Sequence, residues 1–172
     1  MHFRHSFAPF GGLQGTNPFT TLRRRKDQGL KLIVIDPRRT ELATQADIHL
    51  QTRPGEDPTL MAALLNVILS RGLHDHEFCE NWVAEGHLEA LADAVQGFTP
   101  AYAAERCDVS QADIEEAALL FAQGPTGTAG TGTGPSMSPY PSLMEHLVIS
   151  LNVVCGRWLR EGETAESRSL LQ

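Results

Sequence analysis

One stretch limits what this chain can fold into more than any other: Leu30-Lys31-Leu32-Ile33-Val34-Ile35, followed at once by Asp36-Pro37-Arg38-Arg39. An apolar run that short, rich in β-branched side chains and stopped by Asp-Pro, reads as a buried parallel strand rather than a helix. Its end delivers a carboxylate and then two guanidiniums to the carboxyl edge of a sheet, where open α/β sheets bind ligands. A strand followed by a plain charged turn is the competing reading, and the flanking sequence has to decide between them.

Upstream, Gly15-Thr16-Asn17-Pro18 is a turn in which proline takes the first helical position behind an asparagine cap. A helix is predicted over about 18–28, with Gly29 as its stop. The preceding residues, Phe7 to Leu13, contain Pro9, Gly11 and Gly12, which weaken the first strand that a complete βαβ unit needs. Downstream, a short helix is expected over about 39–45. Asp47-Ile48-His49-Leu50-Gln51 then alternates polar and apolar residues as a further short strand does. Asp57 with Pro58 behind it starts a helix over about 58–71. That helix is apolar on most faces and therefore buried, and Gly72 ends it.

The middle of the chain reads as helical throughout. Helices are expected over 77–83 (with Phe78, Trp82 and Val83 on one side), over 87–95 and over 100–106. Another opens at the Ser110-Gln111-Ala112-Asp113 capping pattern and stops at Gly124-Pro125. Thr126 to Gly134 alternates glycine and threonine. Composition alone makes it a linker, the threonines permit a strand, and Gly130, Gly132 and Gly134 permit close backbone approach to a ligand. A last helix is expected over about 142–154, with Gly156 after it and a polar tail from Glu161.

At 172 residues the chain can bury a sizeable core. A formal charge of −7 with no dominant basic stripe argues against a nucleic-acid partner. Arg23-Arg24-Arg25-Lys26 reads as the solvated end of a helix. No apolar run reaches membrane-spanning length, and the start of the chain lacks a signal-peptide pattern, so the cytoplasm is the expected location. Cys79, Cys107 and Cys155 are isolated, with no CxxC, and are expected to be reduced and packed rather than to bind metal.

Three edge features line up: the Gly15–Pro18 turn before a helix, Asp36-Pro37-Arg38 after one strand, and Gly55-Glu56-Asp57 after the next. A helix N-terminus suits a pyrophosphate, and a carboxylate about twenty residues further on suits a ribose or base edge. A carboxylate also suits guanine, whose N1–H and 2-amino group donate side by side. Arg38 can stack on a base or neutralise phosphate. The GxGxxG fingerprint is absent.

The wording of these segments is more specific than their spacing. Gly-Thr-Asn-Pro, then Lys-Leu-Ile-Val-Ile-Asp-Pro-Arg-Arg-Thr-Glu, then Ala-Asp-Ile-His-Leu-Gln-Thr-Arg-Pro-Gly-Glu-Asp resembles the molybdopterin oxidoreductase family of dimethyl-sulfoxide-reductase type, which includes formate dehydrogenases and nitrate reductases. The resemblance runs on through Asn66 and Gly72-Leu73-His74-Asp75, and more loosely through Thr131-Gly132-Thr133-Gly134 to Gly156. It implies a segment that holds one guanine-dinucleotide arm of a bis-molybdopterin guanine dinucleotide cofactor carrying molybdenum. By motif match, Asn17 faces the pyrophosphate, Asp36 and Arg38 the guanosine, Gly55 and Asp57 the guanine, and Gly132 and Gly134 the cofactor. Asp57 keeps a second reading as a simple helix cap. The family's Cys-x-x-Cys iron–sulfur region and its molybdenum-ligating segment are not in this sequence. The resemblance therefore implies an internal piece of a larger enzyme, inactive alone. Its partners would be the remaining domains and an electron-transfer subunit.

The expected fold is α/β: a small parallel Rossmann-like sheet flanked by helices. Its parts are a dinucleotide-binding unit over 1–71, a helical insertion over 72–124, a glycine-rich strand or turn with a closing helix over 125–156, and a polar tail over 157–172. A scaffold or electron-transfer subunit that kept the fold without the pterin is the alternative, and an unrelated nucleotide-binding domain a weaker third. Other constellations are weaker still. His74-Asp75-His76 reads as a turn before a helix rather than a metal site. His49 reads as a packed or surface residue. Glu115 and Glu116, adjacent on a helix, face different sides. No catalytic triad is visible, and neither catalytic nor metal-ligating residues are assigned.

Overall fold

The computed structural model of the chain describes residues 18–160 and 162. Asn17 and the weakened first strand lie outside them, as does most of the polar tail. The described residues open with helix α1 (Pro18–Asp27), and the chain reverses at Gly29, whose φ of +95° requires glycine. Strand β1 (Ile33–Ile35) follows, then a single 3₁₀ turn (Ala43–Gln45) and strand β2 (Ile48–Leu50). Six helices and one helical turn complete it: α2 (Asp57–Ser70), α3 (His76–Trp82), α4 (His87–Val95), α5 (Pro100–Cys107), α6 (Gln111–Gln123), the turn α7 (Thr133–Ser136) and α8 (Pro141–Val154).

β1 and β2 pair in parallel with Ile33 opposite Ile48 and Ile35 opposite Leu50. Alternation sends those four side chains to one face, where Ile48 and Leu50 join the main core and Ile33 and Ile35 pack against it. Val34 points to the other face and is buried too, as are Leu22 of α1 and Ala43. The amino-terminal end of the sheet is tied by Asp47. Its carboxylate accepts the Leu32 N–H at 2.9 Å and pairs with Lys26 at 3.0 Å. Burial pushes this carboxyl up, but the Leu32 N–H and the Lys26 ammonium outweigh it and hold Asp47 below its ordinary range.

The protein is α/β and mostly helical, with a two-stranded parallel sheet among the described residues. The small parallel sheet expected from the sequence is thus present, but its two described strands do not establish a Rossmann-like arrangement. The connection between the strands holds only the 3₁₀ turn instead of a helix over 39–45. Thr40 ends the extended segment there by accepting the Ala43 N–H through its hydroxyl. Nor does Thr126 to Gly134 form a strand. Ala129 is taken up by a side chain of α8, and Thr133 enters the α7 turn.

α2 is the centre of the core. Its residues 60–65, Val67 and Ile68 are buried, on most of its faces as its composition predicts, and it packs against α4, α5, α6 and α8. α4, α5 and α6 thus share one core with α2, while α3 packs against α8. Their starts follow the sequence signals. Asp75 accepts from Phe78 N–H, Thr99 from Tyr102 N–H and Ser110 from Asp113 N–H. On α3 only Phe78 of the expected apolar trio is buried, while Trp82 is 67 % exposed. None of the described helices is long and apolar enough to cross a membrane.

After α8 the chain turns at Gly156, at φ +61°, tightly against Asp75. A Cβ there would strike the carboxylate that caps α3 and binds Arg160 at 2.7 Å. Gly72 has a similar φ of +62° but open space around it. Gly72→Ala should therefore cost only the left-handed strain, about 1 kcal/mol, or a midpoint loss of about 2–4 °C. Gly156→Ala should cost at least twice that, because the cap of α3 is displaced as well. Equal midpoint shifts in thermal melts of the two variants would refute this account of Gly156.

Candidate functional site

Because β1 and β2 are parallel, both deliver their last residues to the same edge. Asp36 N–H donates to Leu50 O at 3.3 Å, His49 Nε2–H donates to Asp36 O at 3.0 Å, and the Gln51 amide donates to Pro37 O at 2.9 Å. His49 is thus half-buried and fixes the corner after β1. The corner closes on itself when Arg38 N–H donates to Asp36 Oδ1 at 2.7 Å, an Asx turn that leaves the second carboxylate oxygen, Oδ2, open. The exposed Arg38 side chain makes no hydrogen bond or ion pair with any described residue.

The second arm of this edge runs from Thr52, which is buried, to Asp57. Gly55 sits at φ +90° with nothing near its missing Cβ, so glycine is required there by the backbone turn. Glu56 occupies the cap position of α2, yet its side chain makes no cap bond and reaches toward α5 instead. Thr59 Oγ1 donates to Glu56 Oε2 at 2.7 Å and Arg106 Nη2 to Oε1 at 2.6 Å. The Thr59 hydroxyl, and with it the Arg106 guanidinium, hold the Glu56 carboxyl below its ordinary range against the opposing effect of burial. Asp57 is the first residue of α2, half-buried, and its carboxylate makes no hydrogen bond or ion pair with another described residue. It caps nothing.

The glycine turn is placed by α8 rather than by the sheet. Glu145 accepts from the Thr131 hydroxyl and from Ser136 Oγ at 3.3 Å, which holds Gly132 and Gly134 between two tethered residues. Both glycines are exposed, with open space where a Cβ would lie. Further back, Asn152 grips Ala129 from both sides, accepting its N–H at 2.8 Å and donating to its carbonyl at 2.9 Å. Asn17 lies outside the described residues.

The three thiols are buried and unpaired; burial pushes Cys107 and Cys155 up to about 11 and raises Cys79 as well, so none is a nucleophile near neutrality. Asp75 of the His74-Asp75-His76 turn is the α3 cap. Burial lowers the His74 pKa and leaves its Nδ1 without a partner among the described residues. An open recess of about 380 Å³ between α1 and the 3₁₀ turn, lined by Phe19, Thr20, Arg23, Glu41, Thr44 and Gln45, includes none of the predicted site residues.

The model of the family described as molybdopterin oxidoreductase matches residues 13–154. The chain belongs to the molybdopterin oxidoreductase family. Among curated relatives, the F420-dependent formate dehydrogenase subunit alpha of Methanocaldococcus jannaschii is 43 % identical over 100 residues, covering 58 % of this chain and 15 % of that protein. The acetylene hydratase of Syntrophotalea acetylenica is 40 % identical over 104 residues, covering 60 % and 14 %. The periplasmic nitrate reductase of Desulfovibrio desulfuricans is 30 % identical over 158 residues, covering 87 % and 21 %. The solved structure of acetylene hydratase from Pelobacter acetylenicus superposes with a TM-score of 0.77 at 32 % identity, over 83 % of this chain and 19 % of that one. The chain therefore spans about a fifth or less of these relatives. Membership in the molybdopterin oxidoreductases, legible in the edge motifs, is borne out and implies a molybdenum–pterin cofactor.

Two residues that sequence reasoning missed order this family segment: Glu145, which ties the glycine turn, and Asn152, which ties the strand-like approach to it. No local pattern marks either, because each acts on residues far away in the chain. Asn152→Ala should leave both backbone groups of Ala129 without their partner and cost about 1–3 kcal/mol. Faster amide exchange at Ala129 and a lowered thermal midpoint are the expected readouts; unchanged exchange would show that Asn152 does not hold this segment.

Proposed function

We propose that this chain holds the guanosine–pyrophosphate arm of a bis-molybdopterin guanine dinucleotide cofactor within a molybdenum-dependent oxidoreductase. One observation carries the reading. The parallel register brings Asp36 and the loop leading to Asp57 to a single sheet edge, and the Arg38 and Asp57 side chains there have no partner among the described residues. Unpaired charged groups converging on one edge are what a polar ligand would satisfy.

The donor set fits the group. The open oxygen of Asp36 or the Asp57 carboxylate accepts the paired N1–H and 2-amino hydrogens of guanine, and Arg38 neutralises phosphate or stacks on the base. The start of α1 supplies partial positive charge suited to a pyrophosphate, and Asn17, the residue before it in the sequence, is assigned to the same group by motif match. Gly132 and Gly134 give the backbone close access to the cofactor. When bound, the cofactor would supply the redox chemistry, and the role of these residues is to bind and orient it. In this reading, residues 1–71 form the dinucleotide-holding unit, 72–124 a helical buttress, 125–156 the glycine turn with its closing helix, and 157–172 a tail. The remaining domains of an enzyme of the relatives' size, with an electron-transfer subunit, are its partners, and an iron–sulfur cluster belongs to an upstream region. Three unpaired buried cysteines suit the cytoplasm.

The test is calorimetric titration of the 172-residue chain with guanosine diphosphate, and with adenosine diphosphate as control. Guanosine diphosphate should bind at least tenfold more tightly. Asp36→Ala should weaken it about tenfold or more, the loss of a charge-assisted hydrogen bond of about 1.5–3 kcal/mol. Equal binding of the two nucleotides, or none, would favour a scaffold that kept the fold without the pterin.

A further inference from the structure

The loop that presents Asp57 has little of its own to hold it. Arg53, Pro54 and Gly55 are exposed, Gly55 has no side chain, and the cap position of α2 is filled by a residue whose carboxylate does not cap. Beyond one turn bond of its own, from Glu56 N–H to Arg53 O at 3.1 Å, the loop is held by the last turn of α5, some fifty residues downstream. Arg53 N–H donates to Cys107 O at 2.8 Å, and the Cys107 thiol lies 3.7 Å from Glu56 O. Arg106 grips the Glu56 carboxylate through two nitrogens, Nη2 to Oε1 at 2.6 Å and Nε to Oε2 at 3.4 Å, while Thr59 completes the same carboxylate from α2.

We propose that Glu56 and Arg106 are a positioning pair, through which α5 sets the shape of the Arg53–Asp57 loop and so aims Asp57 at guanosine. The inference rests on the guanosine reading above and adds the device that makes the loop ready for it. A planar guanidinium that forks onto a carboxylate fixes direction as well as distance, which a point charge does not. The pair lies near the surface, with 53 % of the Arg106 side chain exposed, so it adds little to overall stability. Its effect falls on the loop, whose ordering would otherwise be drawn from binding free energy. A residue that merely stabilised the fold would show the opposite balance, a lower melting point with binding reduced only in step.

Guanosine diphosphate titrations and thermal melts of the 172-residue chain, with amide exchange over residues 53–57, test this for the wild type, Arg106→Met, Arg106→Lys and Glu56→Gln. The expected result is a roughly tenfold weaker binding in Arg106→Met and Glu56→Gln, faster exchange in the loop, and a melting midpoint within about 2 °C of wild type. Arg106→Lys should recover part of the affinity, since the ammonium keeps the charge and loses the fork. Wild-type affinity in Arg106→Met overturns the positioning pair while leaving the guanosine site standing. A loss of affinity that only tracks a falling midpoint across the variants also overturns it. Absence of guanosine diphosphate binding by the wild type overturns the guanosine reading itself, and this inference with it.

Discussion

The enclosure of α2 by its neighbours is the constraint on which the rest of the structure depends. A helix so largely apolar has no stable position at a surface, so it must be enclosed, here by α4, α5, α6 and α8. Leu60, Leu65 and Ile68 are wholly removed from solvent, each contributing about 2–3 kcal/mol of transfer free energy. Packing on most sides fixes the helix axially as well as laterally. Its first turn, Asp57 to Thr59, is only half-buried, so the position of Asp57 depends also on the contacts that α5 makes with the preceding loop.

Burial positions the elements, and side chains bonded to distant backbone set the loops between them. Asp47 ties the start of β2 to the residue before β1, Gln51 ties the end of β2 to Pro37, and Asn152 holds Ala129. Arg157 lays its guanidinium over the carbonyls of Phe121, Ala122 and Gly124 at the end of α6, occupying acceptors that the helix leaves unsatisfied. Each such bond joins a group inside an element to a loop that lacks regular pairing. Such loops can be long and rich in glycine yet keep one shape, which a site assembled from several of them needs.

What was legible in the sequence was what is decided locally. The Asp-Pro and Ser-x-x-Asp starts, the stops at Gly29 and Gly72, and the largely apolar character of residues 58–71 each depend on neighbours within a turn or two. The edge motifs were legible for the same reason, since strand, corner and helix start are consecutive in the chain. Where the outcome depends on a distant partner, local reading stops short. Thr126 to Gly134 has the composition of a strand or a linker, and becomes neither because Asn152 and Glu145 on α8 take up its polar groups. Asp57 reads equally as cap or ligand from sequence. Only the position of Glu56, drawn away to Arg106, shows that the cap site is occupied by a residue that does not cap.

The relatives' names span a dehydrogenase, a reductase and a hydratase, while the segment they share with this chain is similar enough to superpose with a TM-score of 0.77 on one of them. A common piece serving unlike reactions should carry no group committed to one of them. The chemistry of its side chains fits that requirement. The thiols are buried and held protonated, Asp75 is a helix cap, Glu56 is neutralised by an arginine, and the side chains left unengaged at the sheet edge are an acceptor and a cation suited to binding. Groups of that kind suit the holding of a polar ligand by charge and hydrogen bonds. The selective demand on this segment is geometric: keep one edge, two loops and a buried helix in register.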